Sequence, residues 1–249
     1  MNSFDEDIPE EELKEIAESN TKLFKEDIRI FLPDDFNEDL YKDKPIFEEG
    51  VEKIAFGNNF NKPIGHYGYG SFLPMSLKSL ELFGKFNQSI DLLPDNLVNL
   101  HFMKNCEFNM GITRFPEKLE ILRFGDSFNN PLLTLPPNLK ILEFGNNFNQ
   151  PIHPLIYPRK LFTICFGDKF NQYVDDMPDS VENIKFGDNF NTEISNLPSN
   201  LKYIEFGQSF DKNIINILPS TIKKIRLCRG YKYIDDIRKK YTDIYSIKN

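Results

Sequence analysis

The stretch from Leu139 to Ile152 reads L-K-I-L-E-F-G-N-N-F-N-Q-P-I, and it contains the unit that decides the fold. Its apolar residues are Leu139, Leu142, Phe144, Phe148 and Ile152. A glycine follows the first phenylalanine, an asparagine follows the second, and a leucine-proline pair comes a few residues before the unit. Because the same arrangement recurs through most of the chain, we expect a stack of similar units that contact mainly their neighbours.

The repeats can be counted by the second phenylalanine of each unit. A degenerate first copy has Phe36, and Tyr231 is the predicted terminal variant. Between them the clear copies have Phe60, Phe86, Phe108, Phe128, Phe148, Phe170, Phe190 and Phe210. The steps are 20–22 residues from Phe86 onward and 24 and 26 residues before it. We therefore predict about ten repeats of 20–26 residues over residues 27–231, the first and last being degenerate.

A period near 20 residues is too short for a strand, a full helix and two turns. It fits a short strand, a turn and an extended or 3-10 return. Leu142 and Phe144 alternate inward at period two, so Glu143 between them points outward. Stacked copies then form a parallel sheet in which Leu142 meets Leu122 and Ile164. The predicted fold class is a β-rich repeat solenoid.

Two recurring small residues are interpreted as structural. The glycine after the first phenylalanine marks either an unusual φ or a close approach of two backbones. The asparagine after the second phenylalanine is predicted to accept a hydrogen bond from the next turn and to donate to a carbonyl. A ligand site is the poorer alternative, because a binding site is rarely copied through every repeat. The predicted structural ladder consists of Asn61, Asn87, Asn109, Asn129, Asn149, Asn171 and Asn191.

The two ends of the chain differ in charge. Residues 1–20 hold eight acidic groups and one lysine, whereas residues 222–249 hold nine basic and three acidic groups. We predict that residues 1–26 form an acidic helical cap and that residues 232–249 form a basic cap with Ile234, Ile237 and Tyr241 on one helix face. The alternative is that the charged ends dock to partners or to one another, head to tail.

Composition excludes several function classes. The net charge of −8 argues against nucleic-acid binding, and no apolar run reaches the length of a membrane span. The N-terminus lacks the layout of a signal peptide, and three widely spaced cysteines fit a reducing compartment, which predicts a cytoplasmic protein. No metal-ligand spacing, phosphate loop or nucleophile motif occurs. We therefore predict no enzyme activity, no cofactor and no metal.

The unit F-N-x-x-I, followed by Leu-Pro and L-x-x-L-x-F-G, resembles the FNIP repeat, a relative of the leucine-rich repeat known chiefly from social amoebae and giant DNA viruses. The resemblance covers roughly residues 45–231. It implies a leucine-rich-repeat-like curved stack with a parallel sheet on the concave face, an irregular or 3-10 convex side and short helical caps. It also implies a protein-interaction role, and a host-cytoplasm location if the chain is viral. Some relatives carry an F-box and are thought to feed substrates to ubiquitin ligases. Here Leu32–Phe36 mimics the opening of an F-box, but the segment fits the repeat spacing better.

The outward residues of the predicted sheet vary from repeat to repeat, unlike the inward ones. A mixture of aliphatic, aromatic and arginine side chains is typical of a protein interface. The predicted partner-binding residues are Ile121, Arg123, Ile141, Glu143, Phe162, Lys185, Tyr203 and Glu205. The leading hypothesis is a scaffold that binds another protein on this face. The alternatives are a substrate adaptor of a ubiquitin ligase, a structural assembly component, or ordinary exposed strand residues with no role.

Overall fold

The computed structural model describes residues 28–41, 44–241 and 245–248. The predicted acidic helix of residues 1–26 lies outside these ranges. Within them, eleven strands form one parallel sheet. They are β1 (Ile28–Phe31), β2 (Val51–Phe56), β5 (Ser79–Leu82), β6 (Asn99–Phe102), β7 (Ile121–Arg123), β8 (Ile141–Glu143), β9 (Thr163–Cys165), β10 (Asn183–Lys185), β11 (Tyr203–Glu205), β12 (Lys224–Cys228) and β13 (Tyr245–Lys248). A small antiparallel pair joins β3 (Gly65–His66) to β4 (Gly70–Ser71).

Strand order follows chain order, because each repeat adds one strand to the growing edge of the sheet. Leu142 is in register with Leu122 on one side and Ile164 on the other, as the repeat spacing predicts. The return segments between strands are irregular, with one 3-10 helix at Pro154–Ile156 among the described residues. The prediction of a β-rich repeat solenoid is confirmed.

Two columns of stacked phenylalanine rings fill the core. The second-phenylalanine column runs unbroken from Phe36 to Tyr231, with neighbouring ring centroids 5.9–6.2 Å apart. The first-phenylalanine column, from Phe102 to Phe206, has spacings of 5.3–5.7 Å. Neighbouring strands lie about 4.8 Å apart. In both columns the ring centroids are therefore farther apart than neighbouring strands generally are, as expected for rings that stack with an offset.

The recurring glycine is required by close approach of backbones. A Cβ at Gly145 would overlap the carbonyl oxygen of Gly125, and a Cβ at Gly167 would overlap that of Gly145. Neither residue has a positive φ, so steric space rather than backbone conformation selects glycine in these turns. Gly84, which is displaced by one position in its repeat, has φ +48° and differs in this respect.

The asparagine column forms a ladder of hydrogen bonds. The backbone N–H of Asn149 donates to Oδ1 of Asn129, and the N–H of Asn171 donates to Oδ1 of Asn149, each at 2.9 Å. The same bond joins every consecutive pair from Asn37 to Asp211, at 2.8–3.1 Å. The amide oxygens thus accept hydrogen bonds from backbone N–H groups in the turns, which are not paired by the hydrogen bonds of the sheet.

The irregular repeats keep the register of the sheet. The two extra residues of the repeat containing Phe108 lie in a turn at Lys104 and Asn105, and β6 aligns with both neighbouring strands. Cys106 is buried after this turn, and its thiol donates to the carbonyl oxygen of Phe86. The two extra residues are therefore accommodated outside the sheet.

The C-terminal end adds a helix and a strand. Helix α1 (Ile234–Lys240) buries Ile237, and Ile234 and Tyr241 pack against the core beside it. The sequence did not predict β13, which pairs in parallel with β12 and aligns Ile247 with Leu227. The division of the chain into two caps and a repeat region remains a prediction.

Candidate functional site

The outward face of the sheet, called the outer face below, carries the residues that vary between repeats. It contains two columns of side chains, because strand residues alternate between the two sides of a sheet. The charged column consists of Ala55, Glu81, His101, Arg123, Glu143, Cys165, Lys185, Glu205 and Arg226. The mixed column consists of Lys53, Ser79, Asn99, Ile121, Ile141, Thr163, Asn183, Tyr203 and Lys224.

An ion pair stands at the centre of the charged column. Nε of Arg123 lies 2.9 Å from Oε2 of Glu143, and the two side chains are 33% and 24% exposed. The Nε–H does not point at the carboxylate as a hydrogen bond requires, so the contact is an ion pair by proximity. Nη1 of Arg123 also lies 3.3 Å from Nε2 of His101 on the strand before. The pair remains partly open to solvent, as a contact with a partner would need.

His101 is uncharged at neutral pH. Burial, followed by the positive charge of Arg123, lowers the pKa of His101 to about 4. Since arginine can only donate, the unprotonated Nε2 of His101 accepts in this contact. The strand before carries Glu81 in the same column. His101 therefore acts as a neutral spacer between the charges of Glu81 and Arg123.

Neither Cys165 on the outer face nor Cys106 in the core has nucleophilic character. Burial, and next the charge of Glu143, raises the pKa of the Cys165 thiol. Burial also raises the pKa of Cys106 to about 11. A thiol whose pKa is raised stays protonated at neutral pH and is neither a nucleophile nor a ready metal ligand. In the part of the chain that the structure describes, no group of three or more His, Cys, Asp and Glu residues could hold a metal ion.

Glu205 is buried within the outer face and corrects the expectation that it is exposed. Its side chain is inaccessible to solvent, and Oε2 accepts a hydrogen bond of 2.5 Å from the Tyr203 hydroxyl. Nη1 of Arg226 lies 3.3 Å from Oε2, and Nζ of Lys185 lies 3.7 Å from Oε1. Tyr203 is only 6% exposed, and the Lys224 ammonium lies 5.8 Å from its ring centroid. Cations on both flanking strands cover the carboxylate, so this end of the face is a closed polar cluster.

Ile141 is also buried, at 1% exposure, because Ile121 and Thr163 flank it on the neighbouring strands. Ile121 and Phe162 are half-buried, and the N–H of Phe162 donates to the carbonyl of Lys140 just before β9. Of the eight predicted binding residues, five keep accessible surface: Ile121, Arg123, Glu143, Phe162 and Lys185. Their role in binding remains a prediction.

The sequence analysis did not predict a shallow groove at the N-terminal end of the outer face. Phe31 is 74% exposed and lies beside Ala55, whose small side chain leaves space in the charged column. Glu81 and Asn99 line the same groove, and Oδ1 of Asn99 is buried without a hydrogen-bond partner among the described residues. Aligning the degenerate first repeat with the inward columns would have placed Phe31 outward. That alignment was the available signal.

Comparison with known proteins agrees with this architecture. The FNIP Repeat family model matches residues 108–146, 128–169 and 192–229. Residues 108–169 and 192–229 therefore match the FNIP repeat. These matches confirm the resemblance found in the sequence, and the ring column and asparagine ladder continue beyond the matched residues toward both ends of the stack. No curated protein sequence matches the chain.

The chain is also similar to a solved structure, that of CroV588, a giant-virus protein described as a circular LRR protein. The TM-score is 0.53 at 24% identity, over 89% of this chain and 43% of CroV588. The chain thus spans less than half the length of that relative. The likeness supports a leucine-rich-repeat-like fold. Within the described ranges, no helix is long and apolar enough to cross a membrane.

Proposed function

We propose that this FNIP-repeat solenoid is a non-catalytic scaffold that binds another protein on its outer face. The observation that carries the proposal is the contrast between the inward and outward columns. Inward positions repeat phenylalanine, leucine and isoleucine, whereas outward positions change in charge and size at nearly every strand. The need for a stable core explains why the inward residues are similar in every repeat. It does not restrict the outward residues, which can therefore vary to specify a partner.

The proposed surface consists of the Arg123–Glu143 pair, Ile121 in the mixed column, and Phe162, which directly precedes β9. Arginine and aromatic residues are enriched at protein interfaces, and partly buried apolar side chains supply the area that binding needs. Because the two charges already pair with each other, a partner must match a fixed local pattern of charge. Electrostatic complementarity of this kind selects partners and speeds association.

No specific observation favours the hypothesis that the protein is a substrate adaptor of a ubiquitin ligase. Leu32–Phe36, which mimics the opening of an F-box, is the turn of the first repeat: the ring of Phe36 stacks on Phe60 at 5.9 Å. The N–H of Phe36 donates to the carbonyl of Pro33 within that turn. We therefore propose a general interaction scaffold.

Its three cysteines are all unpaired thiols, which favours a location in the reducing cytoplasm.

The test exchanges the charges of the central pair. In Arg123→Glu/Glu143→Arg the ion pair is kept, so the stack should fold, but the pattern offered to a partner is inverted. The matched control exchanges Asp95 and Arg114, an ion pair in the return segments away from the sheet. Each protein is used for affinity purification from the native cell with quantitative mass spectrometry.

We expect a partner that wild type and the Asp95/Arg114 control both recover, with recovery reduced about tenfold or more by the Arg123/Glu143 exchange. Circular dichroism of all three proteins checks the fold. If the Arg123/Glu143 exchange recovers the same proteins in the same amounts as wild type, the outer face is not the binding surface.

A further inference from the structure

Both ends of the sheet have an unpaired strand edge within the described residues. β1 pairs with β2 and β13 pairs with β12, and neither has a partner on its other side. A strand edge offers a row of N–H and C=O groups to another strand. The two edges belong to one parallel sheet, so β13 of one molecule and β1 of a second, placed end to end, run in the same direction.

Among the described residues, the inward columns also begin and end with side chains that are only partly buried. Ile30 and Leu32 begin the inward columns and are only partly buried, whereas their neighbours Ile54 and Phe56 are 1% exposed. At the other end Ile247 is 40% exposed, although its neighbour Leu227 is fully buried. By register, a second copy that continued the stack would place Leu32 against Ile247 and Ile30 against Tyr245. Apolar surface at each end would thereby leave water.

The charges of the two ends are opposite in the described residues. Residues 28–41 contain one basic and four acidic residues, whereas residues 222–241 contain eight basic and two acidic residues. The turn before Phe36 carries Asp34 and Asp35, and the turn before Tyr231 carries Arg229. Phe36 and Tyr231 are the first and last rings of one stacked column. End-to-end stacking therefore brings acidic and basic turns into the same column, while contacts between like ends bring equal charges together.

We propose that the occupant of each open end is a second copy of this chain, with β13 of one copy pairing in parallel with β1 of the next. The contact is heterologous, so it leaves an open end at each extremity and continues until a ring closes or a filament grows. Opposite charge selects the head-to-tail orientation, and the paired strand edges and apolar columns provide the contact surface.

Sedimentation velocity of the full chain over a concentration series tests the proposal. We expect the mean mass to rise with concentration at low salt, and the apparent dissociation constant to increase about tenfold or more between low and high salt, because the contact joins opposite charges. A single monomeric mass at every concentration and salt would overturn the proposal. This is also the result expected if another part of the same chain covers β1.

Two charge variants sharpen the test. Arg229→Glu/Lys232→Glu makes the turn beside Tyr231 acidic, so that it would meet Asp34 and Asp35 with like charge, and Asp35→Lys/Glu38→Lys changes the net charge of residues 28–41 from −3 to +1; all four substituted residues are exposed. Each variant alone is expected to stay monomeric at concentrations where wild type assembles. An equimolar mixture is expected to assemble again, which shows that both variants are folded. Assembly of either variant alone to the wild-type extent, or a mixture that stays monomeric, contradicts the head-to-tail contact.

Discussion

Nε of Arg123 lies 2.9 Å from Oε2 of Glu143, and the two residues occupy the same position in consecutive repeats. A similar relation joins Lys185, Glu205 and Arg226 farther along the column. The charged column is thus built from contacts between neighbouring repeats. Such contacts couple the outer face to the stack, but the coupling depends on how far each group is buried.

The first prediction concerns the closed polar cluster. Glu205→Ala removes a carboxylate that is fully buried between Arg226 and Lys185, and leaves those cations without their counter-charge. We expect the free energy of unfolding to fall by about 3–5 kcal/mol. Glu143→Ala, at a pair exposed by 24–33%, should cost about 0–1 kcal/mol. Urea unfolding followed by circular dichroism measures both, and equal losses would show that the cluster is not buried in solution.

The second prediction concerns the glycine column. Gly145→Ala places a methyl group against the carbonyl of Gly125, which is backbone and cannot turn aside. We expect a loss of about 1–3 kcal/mol in the free energy of unfolding, because two turns must move apart. Gly111→Ala is the control, since a Cβ there has no neighbour within 4 Å and φ is not positive. Thermal and urea unfolding should separate the variants, and a neutral Gly145→Ala would refute the close approach.

The third prediction concerns the asparagine ladder. Asn149→Ala removes the acceptor of the Asn171 N–H and of the Gln172 side-chain amide. Because the Asn171 N–H is exposed and can bind water instead, we expect the free energy of unfolding to fall by about 0.5–1.5 kcal/mol. Asn149→Asp keeps the oxygen acceptor, as Asp211 does at its own position in the column, and should therefore be milder than Asn149→Ala. If Asp and Ala are equally destabilising in urea, acceptance of the hydrogen bond is not the role of the residue.

The fourth prediction concerns pH. The folded pKa of His101, about 4, lies below its ordinary value of 6.5, so the unfolded chain binds the proton first as pH falls. The stabilisation is fully present above about pH 6.5 and is lost progressively toward pH 4. Between pH 7 and pH 5, wild type should therefore lose about 1–2 kcal/mol more unfolding free energy than His101→Gln. His153→Gln, at an exposed position, is the control and should follow wild type; identical slopes in all three proteins would exclude His101.

Much of the fold follows from the sequence because two periods are superimposed. The alternation of Leu142, Glu143 and Phe144 fixes which side each residue faces, and the 20-residue repeat then fixes the register of neighbouring strands. The acceptor role of the asparagines follows from the same spacing. Two structural options for Gly145 stayed open, because a sequence does not distinguish a positive φ from a close approach.

The outer face was less predictable, because exposure there depends on the neighbouring strands. Glu205 alternates outward like Glu143, yet Lys185 and Arg226 cover it, while Glu143 stays partly open. Ile141 is buried by its lateral neighbours for the same reason. Strand β13 has no repeat signature, and its pairing depends on the edge that β12 offers. These features depend on tertiary contacts rather than on local pattern.

The central claim is that recurring residues build the stack and the varied outer face binds the partner. Hydroxyl-radical footprinting of the purified complex tests it most directly, because it reports the accessibility of individual side chains. Partner binding should reduce oxidation of Ile121 and Phe162 on the outer-face side and leave Leu133 and Leu155, exposed by 80% and 88% in the return segments, unchanged. Protection of Leu133 and Leu155 with unchanged oxidation of Ile121 and Phe162 would contradict it.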